Sequence, residues 1–481
     1  MWAPGGPGLP RAHPMMLEAQ TGTVVWQGPS LGWETMGPTV QTCNGTEYIT
    51  FWAGAEIDNR KAGVYHVYDS NYRPVFNVTS KGALEYADAH EIYFTPQCTA
   101  IITTYQTRAY NLSHYGIENG WLMDSYFQEI DLATDKLLFQ WEASEHINVT
   151  DAIWLPPVKD QGKSENNGYD FLHLNSVEKD RFGNYLLSAR HTNNLYYISG
   201  VNGNVIWTLG GLRNDFTDLS DGNATNFAWQ HHARWVDANM TKISLFDDRS
   251  SAYHTTEHNL TRGIIISVDT TAKTVKLDKA YYATQGIQAM REGSMQVLDD
   301  SPEPGNVILG YGHEPAWTEY APNGTVLFDI AFGPMGRNRA SADNYRAIKV
   351  NWTGLPTFSP SIAAGPEATY TFHKKSSTFA VQRRNEEGQY LQNTTAYLSW
   401  NGATNISYWV ILASNDSLRL DVSSNFVAKV DKSGFETNYL FPNTAKYVQA
   451  LAVNGSDFVL GTTSLLELAS GNVLALSLIH I

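Results

Sequence analysis

YYISGVNGNVIW, residues 196–207, reads as two short apolar strands about a polar glycine turn, the second ending in a large aromatic residue. The same unit recurs as MLEAQTGTVVW ending at Trp26, YHVYDSNYRPVF at Phe76, FQEIDLATDKLLF at Phe139, IISVDTTAKTVKL near Lys276 and TEYAPNGTVLF at Phe328. Ahead of every copy but the first lies a further strand: EYITFWAG (47–54), TAIITTYQ (99–106), NYLLSARH (184–191), KISLFDD (242–248) and NVILGYG (306–312). A repeated hairpin with a leading strand predicts an all-β protein, a six-bladed β-propeller over residues 14–353 with loop insertions between its units. The first copy lacks its leading strand, so NYRAIKVNW (344–352) is expected to pair with that hairpin and close the ring. An irregular pair of β-sandwiches is the alternative, but it does not predict one hairpin repeated six times. Pro356, Pro360 and Pro366 mark a linker over 354–366. Residues 367–470, with TAYLSWNG, YWVILAS, FVAKV and YVQALAV, are expected to form a small immunoglobulin- or fibronectin-like β-sandwich.

The chain has 481 residues, 12% of them aromatic and only 17% charged, which suits a β-rich globular body rather than a disordered one. Its formal charge of −15 argues against nucleic acid as a partner, because phosphate neutralisation needs clustered Lys and Arg. No run of apolar residues is long enough for a membrane-spanning helix. Thirteen Asn-x-Ser/Thr triplets, at Asn44, Asn77, Asn111, Asn148, Asn223, Asn239, Asn259, Asn323, Asn351, Asn393, Asn405, Asn415 and Asn454, favour passage through the secretory pathway. The opening MWAPGGPGLPRAHP is not a signal peptide, so a secreted protein is expected to have lost its true N-terminus here, and LSLIHI (476–481) is not expected to be a native end.

Three histidines share one phase of the repeat, in HEIYFTPQCTAII (from His90), HLNSVEKDRFGNYLL (from His173) and HHARWVDANMTKISL (from His231). Each stands where the innermost strand of a sheet begins. Independent packing needs would not select one residue type at one depth, so a shared site in the central channel is expected. Asn175 lies two residues after His173 and points to the same side of an extended strand. Arg190, at the end of the next strand, offers a planar fork suited to a tetrahedral oxyanion, while His191 should face away from it. Such a set suits sulfuryl or phosphoryl transfer through an imidazole nucleophile. A divalent metal held by the three imidazoles is the rival reading; adjacent His231 and His232 cannot both enter the channel from an extended strand. No GxxxxGK[ST] loop and no GxSxG elbow is present, which argues against a nucleotide donor, and no cofactor is called for.

FQEIDLATDKLLFQWEASEH (127–146), HLNSVEKDRFGNYLLSARH (173–191), GNVIWTLGG (203–211), FAWQHHARW (227–235), ISLFDD (243–248) and SWNGAT (399–404) resemble the arylsulfotransferase (aryl-sulfate sulfotransferase) family, in its secreted fungal-type branch. The resemblance implies a six-bladed propeller that moves a sulfuryl group from a phenolic sulfate ester to a phenol through a sulfated histidine. It gives His231 the part of nucleophile, and His90, His173, Asn175 and Arg190 the parts of holding sulfate oxygens and assisting proton transfer. His232 departs from the pattern of that branch, which has Asp beside the nucleophile. Two further readings stand beside it: a non-catalytic secreted propeller that binds an anionic ligand or a protein, and transfer of the sulfuryl group to water. The two cysteines, Cys43 and Cys98, fall in the same turn of adjacent sheets, so one disulfide is plausible and two buried thiols are its alternative.

Overall fold

The computed structural model describes residues 1–6, 12–156, 160–250, 260–298, 305–335, 342–365, 393–415, 420–442, 445–468 and 471–474. The sequon at Asn259, His254 and His258, Pro366 with the whole 367–392 stretch, and residues 476–481 lie outside these. The protein is all-β and divides into two compact units, one of Met1–Met15, Gly28–Asp69 and Pro74–Val350, the other of Met16–Gln27, Ser70–Arg73 and Asn351–Ile481. Among the described residues no helix is long and apolar enough to cross a membrane.

In the first unit, antiparallel sheets follow one another along the chain, each with its strands in sequence order. The first sheet holds Glu34–Cys43, Thr46–Ile57, Arg60–Tyr68 and Pro74–Val78. The second holds Ile92–Phe94, Thr99–Leu112, Ile117–Asp131 and Leu137–Glu142. The third holds Leu174–Lys179, Tyr185–Ala189, Asn194–Ile198 and Val205–Gly210. The fourth holds His231–Trp235, Lys242–Asp247, Arg262–Asp269 and Thr274–Tyr282, with Thr217–Asp218 added in parallel. The fifth holds Ser294–Val297, Val307–Gly310, Ala316–Tyr320 and Val326–Ala331. The last two strands of each are a copy of the repeated hairpin, and the strand before them is the expected leading strand.

Apolar clusters lie between consecutive sheets, and alternation assigns each residue to one side. Ala100 and Ile102 pack toward the first sheet with Trp52 and Val67, while Ile101 between them packs toward the third with Leu187. Leu186 and Leu245 share the next cluster, and Phe246 faces the fifth sheet beside Leu309. Burial on both faces is why these leading strands read as continuous apolar runs rather than as polar alternation. The innermost strands pack in succession, Glu34–Cys43 on Ile92–Phe94 and Leu174–Lys179 on His231–Trp235, then His231–Trp235 on Ser294–Val297. Turns between outer strands follow their residues: Gly203 takes a φ of 76°, Ser199 N–H donates to Asn204 O at 2.9 Å, and Asn204 N–H donates to the Asn202 side chain at 3.0 Å.

Two expectations differ from the structure. Among the described residues there are five such sheets, because the first hairpin copy forms only a two-stranded ribbon, Met15–Leu17 with Val24–Gln27, that groups almost wholly with the second unit. The Asn401 side chain brackets it, accepting from Gln27 N–H at 2.8 Å and donating to Gln27 O at 2.9 Å, while Gly402 N–H donates to Val25 O. Residues 344–350 are not a strand. They lie along Ser294–Val297 through side chains instead, the Gln296 amide bonding both the N–H and the C=O of Lys349. Their other partners are near the start of the chain, where Gly5 bridges Asp343 and Ile348 N–H donates to Met1 O.

Cys43 and Cys98 are joined in a disulfide that ties the end of the first sheet's inner strand to the turn of the second sheet. Closing a loop of 55 residues stabilises the fold by about 4 kcal/mol through the unfolded chain's lost entropy. In the second unit, Ser361–Gly365, Asn393–Ser399 and Glu436–Pro442 form one sheet. Phe426–Asp431, Tyr408–Ser414 and Tyr447–Val453, with three shorter strands, form another. Leu398 and Trp400 of the first share a core with Trp409, Ile411 and Ala450 of the second.

Candidate functional site

His90, His173 and His231 open the innermost strands of the second, third and fourth sheets, and each ring is fixed by a carboxylate. Asp88 Oδ1 accepts from the His90 backbone N–H at 3.0 Å and also bonds the ring Nδ1. Asp170 repeats this on His173, Oδ1 accepting the backbone N–H at 3.0 Å and Oδ2 meeting Nδ1 at 2.5 Å. In the fourth sheet the carboxylate comes from the far side of the hairpin: Asp248, just beyond Lys242–Asp247, meets His231 Nδ1 at 2.8 Å. With Nδ1 donating to a carboxylate, a neutral imidazole keeps its lone pair on Nε2. No protein partner meets Nε2 of these three rings among the described residues.

The rings gather in one place. His90 and His173 stand edge to face with centroids 4.8 Å apart, and the Tyr345 ring lies 5.6 Å from His90 and 6.5 Å from His231. Arg190 N–H donates to His173 O at 3.0 Å, which brings that arginine back to the histidine end of its sheet. Its Nη2 donates to Met290 O at 3.0 Å, its guanidinium stacks over Trp229, and its buried Nε has no partner. Asn175 is fully buried; its amide donates to Gln230 O at 2.7 Å, next to His231, and its Oδ1 has no partner. One of its two amide hydrogens thus holds the backbone of the neighbouring sheet, and Arg346 Nη2 grips its carbonyl at 2.8 Å.

Burial lowers His231 well below the usual imidazole value, and the positive charges of Arg190 and neighbouring imidazoles push the same way. Burial also lowers His173, against the pull of Asp170. Burial alone would raise Asp170, but His173 and His191 hold it at about 2. The imidazoles at His231 and His173 are therefore neutral bases at neutral pH.

Four contributors were not read from the sequence. The carboxylates Asp88 and Asp170 had a signal, an Asp two or three residues before each histidine; Asp248 had none. Tyr345 was read as part of a strand. His191, expected to face away from Arg190, accepts from its Nη1 at 3.0 Å through Nε2 and lies 4.6 Å from the His173 ring. The strand ends at Ala189, and Arg190–Asn193 is a turn, so alternation no longer applies. His232 has a φ of 55° at a bulge and bonds Met295 O. It lines a cavity of about 300 Å³ together with His90, Glu91, Tyr345 and Arg346, which His173, Arg190 and His231 do not reach.

The metal reading does not survive this geometry in its original form. The ligand atoms that come within 4.8 Å of one another belong to Asp170, His173 and His191, not to the three strand histidines. Arg190, bonded to His191, would compete there with any dication.

Sheets in chain order with their inner strands side by side define a propeller-like protein, and it carries a cluster of carboxylate-held imidazoles beside an arginine. The family model described as arylsulfotransferase (ASST) matches residues 39–333, and the chain belongs to that family. No curated protein matches it. Among solved structures it is similar to a protein of unknown function from Bacteroides caccae, at 13% identity and TM-score 0.40 over 72% of this chain and 100% of that one. It is also similar to one from Dyadobacter fermentans, at 10% and 0.38 over 79% and 94%. A third is the β-propeller domain of Cps50 (Swd1) from Myceliophteria thermophila, at 7% and 0.34 over 63% and 88%. At these scores the likenesses carry no argument of their own. Membership of the family indicates sulfuryl transfer in general, with aryl sulfates and phenols as its substrates.

Proposed function

We propose that this protein transfers a sulfuryl group from a phenolic sulfate ester to a phenol through a sulfated His231, without a nucleotide or metal cofactor. The observation that carries the reading is His231 itself: neutral, fixed through Nδ1 by Asp248, with Nε2 unpartnered and Arg190 nearby. In the first step Nε2 attacks sulfur, the ester S–O bond breaks and phenoxide leaves; the ring becomes cationic, and Asp248 stabilises that charge. In the second step neutral His173 takes the proton of an acceptor phenol, whose oxygen attacks sulfur as the N–S bond breaks and His231 returns to its starting state. Arg190 balances the sulfuryl oxygens throughout.

The test is 4-nitrophenyl sulfate with and without added phenol, followed by intact mass. Nitrophenol release accelerated by phenol, and a gain of one sulfuryl group that phenol removes, are expected. Saturable binding with no release and no mass gain would replace this reading with the non-catalytic one; release that phenol does not accelerate would make water the acceptor. The lowered imidazoles set the pH dependence. A base titrating below its ordinary value stays active as pH falls through 6.5, so kcat/KM is expected to stay level there and to decline only in more acidic solution. An acid limb centred at 6.5 or above would contradict it.

The protein is also proposed to be a secreted glycoprotein with a propeller and a sandwich-like second unit. Of the sequon asparagines whose side chains are described, all but Asn454 are exposed, and the disulfide suits an oxidising compartment.

A further inference from the structure

A second, smaller cavity of about 160 Å³ opens between the first and second sheets, lined at one side by Arg60 and Lys61 and at the other by Thr104, Tyr105 and Thr107. Tyr105 joins it to the site, for its ring lies 6.1 Å from His90 and 6.4 Å from His173. The charges here are unequal in their partners. Lys61 is taken by Glu34 at 2.5 Å and Glu56 at 3.4 Å. Arg60 has no ion pair among the described residues, and its buried Nε has no hydrogen-bond acceptor; nor has the buried Thr107 Oγ1. The one acid in the lining, Glu85, is exposed and forms no ion pair with Arg60. A guanidinium without a counter-charge, beside an unpartnered hydroxyl and one aromatic ring from the histidines, is matched by an oxyanion.

We propose that this cavity is the subsite for the ring substituent of the phenolic substrate, and that Arg60 selects an anionic substituent, a carboxylate or a sulfonate. The position rests on the reading of the histidine site above. The substituent's oxygens accept from Arg60 and from Thr107 Oγ1, while the phenolic oxygen points past Tyr105 toward His90 and His173. Glu85 acts against binding.

The test compares 4-hydroxybenzoate, 4-hydroxybenzenesulfonate and the neutral 4-hydroxybenzamide as acceptors, in the unmodified protein, Arg60→Gln and Glu85→Gln. A charge-assisted contact predicts that Arg60→Gln raises KM for the two anions roughly tenfold and leaves the amide within about twofold, kcat being little changed. Glu85→Gln is expected to lower KM for the anions. Of the two anions, the one with the larger Arg60 effect identifies the substituent. Equal effects of Arg60→Gln on anions and amide, or none, would overturn the proposal. Calorimetric titration of 4-hydroxybenzoate into His231→Ala separates it from the reaction. Binding that weakens when Arg60→Gln is added supports the subsite even where no transfer occurs, and binding indifferent to Arg60 overturns it.

Discussion

His231→Ala is expected to abolish turnover of 4-nitrophenyl sulfate, by roughly 10⁴-fold or more, and with it any gain of a sulfuryl group. The large effect follows from position. Among the described residues His231 is the only imidazole in the cluster that is held by a carboxylate from its own hairpin and also lies under the field of Arg190, His173 and His90. Loss of a neighbouring histidine weakens the field or the proton transfer, whereas loss of this ring removes the atom that forms the bond to sulfur. The fold should tolerate the change, since the ring makes one side-chain hydrogen bond, and circular dichroism together with an unchanged denaturation midpoint would establish that. Release of nitrophenol at an undiminished rate in the variant would assign the nucleophile elsewhere.

Glu91→Ala is expected to be the most destabilising single change near the site, by about 3–5 kcal/mol in denaturant titration. Glu91 is 1% exposed and accepts from Arg346 Nη1 at 2.9 Å through one oxygen and from Arg234 Nη2 at 2.6 Å through the other. Its removal leaves two guanidiniums with little access to water and without the carboxylate that both of them bond. Arg346 also holds the Asn175 carbonyl, so the second, third and fourth sheets and the 343–350 segment all lose a common tie. Glu91→Gln keeps the acceptor oxygen without the charge and should fall between. A midpoint unmoved in Glu91→Ala would show that water reaches the arginines freely.

The outer hairpins were legible in the sequence because turn chemistry and alternation are local properties, and both act within about a dozen residues of chain. The histidine register was legible for the same reason, since each ring stands within about a dozen residues before a recognisable strand. What escaped depended on contacts distant in sequence. MLEAQTGTVVW has the hairpin pattern, but its partner, Asn401, is 374 residues from Gln27. NYRAIKVNW alternates like a strand, yet Ser294 and Gln296 meet its backbone with side chains and leave it outside the ladder. His191 was placed by extending a strand past Ala189, where the backbone had already turned. Counting from His173 to Asn175 assumes an extended strand, whereas His173 has a φ of 54° and the ladder is irregular between Leu174 and Ser176; the bond of Asn175 to Gln230 O required the adjoining sheet.

Because every apolar cluster in the first unit is shared between neighbouring sheets, none of those sheets is an independently folding piece. Ile101 and Ile102, adjacent in sequence, contribute to different clusters, so cutting out one sheet would strip two interfaces at once. Melting of this unit should accordingly be a single cooperative event, and a weakening at its outer rim would reach the imidazoles without any direct contact.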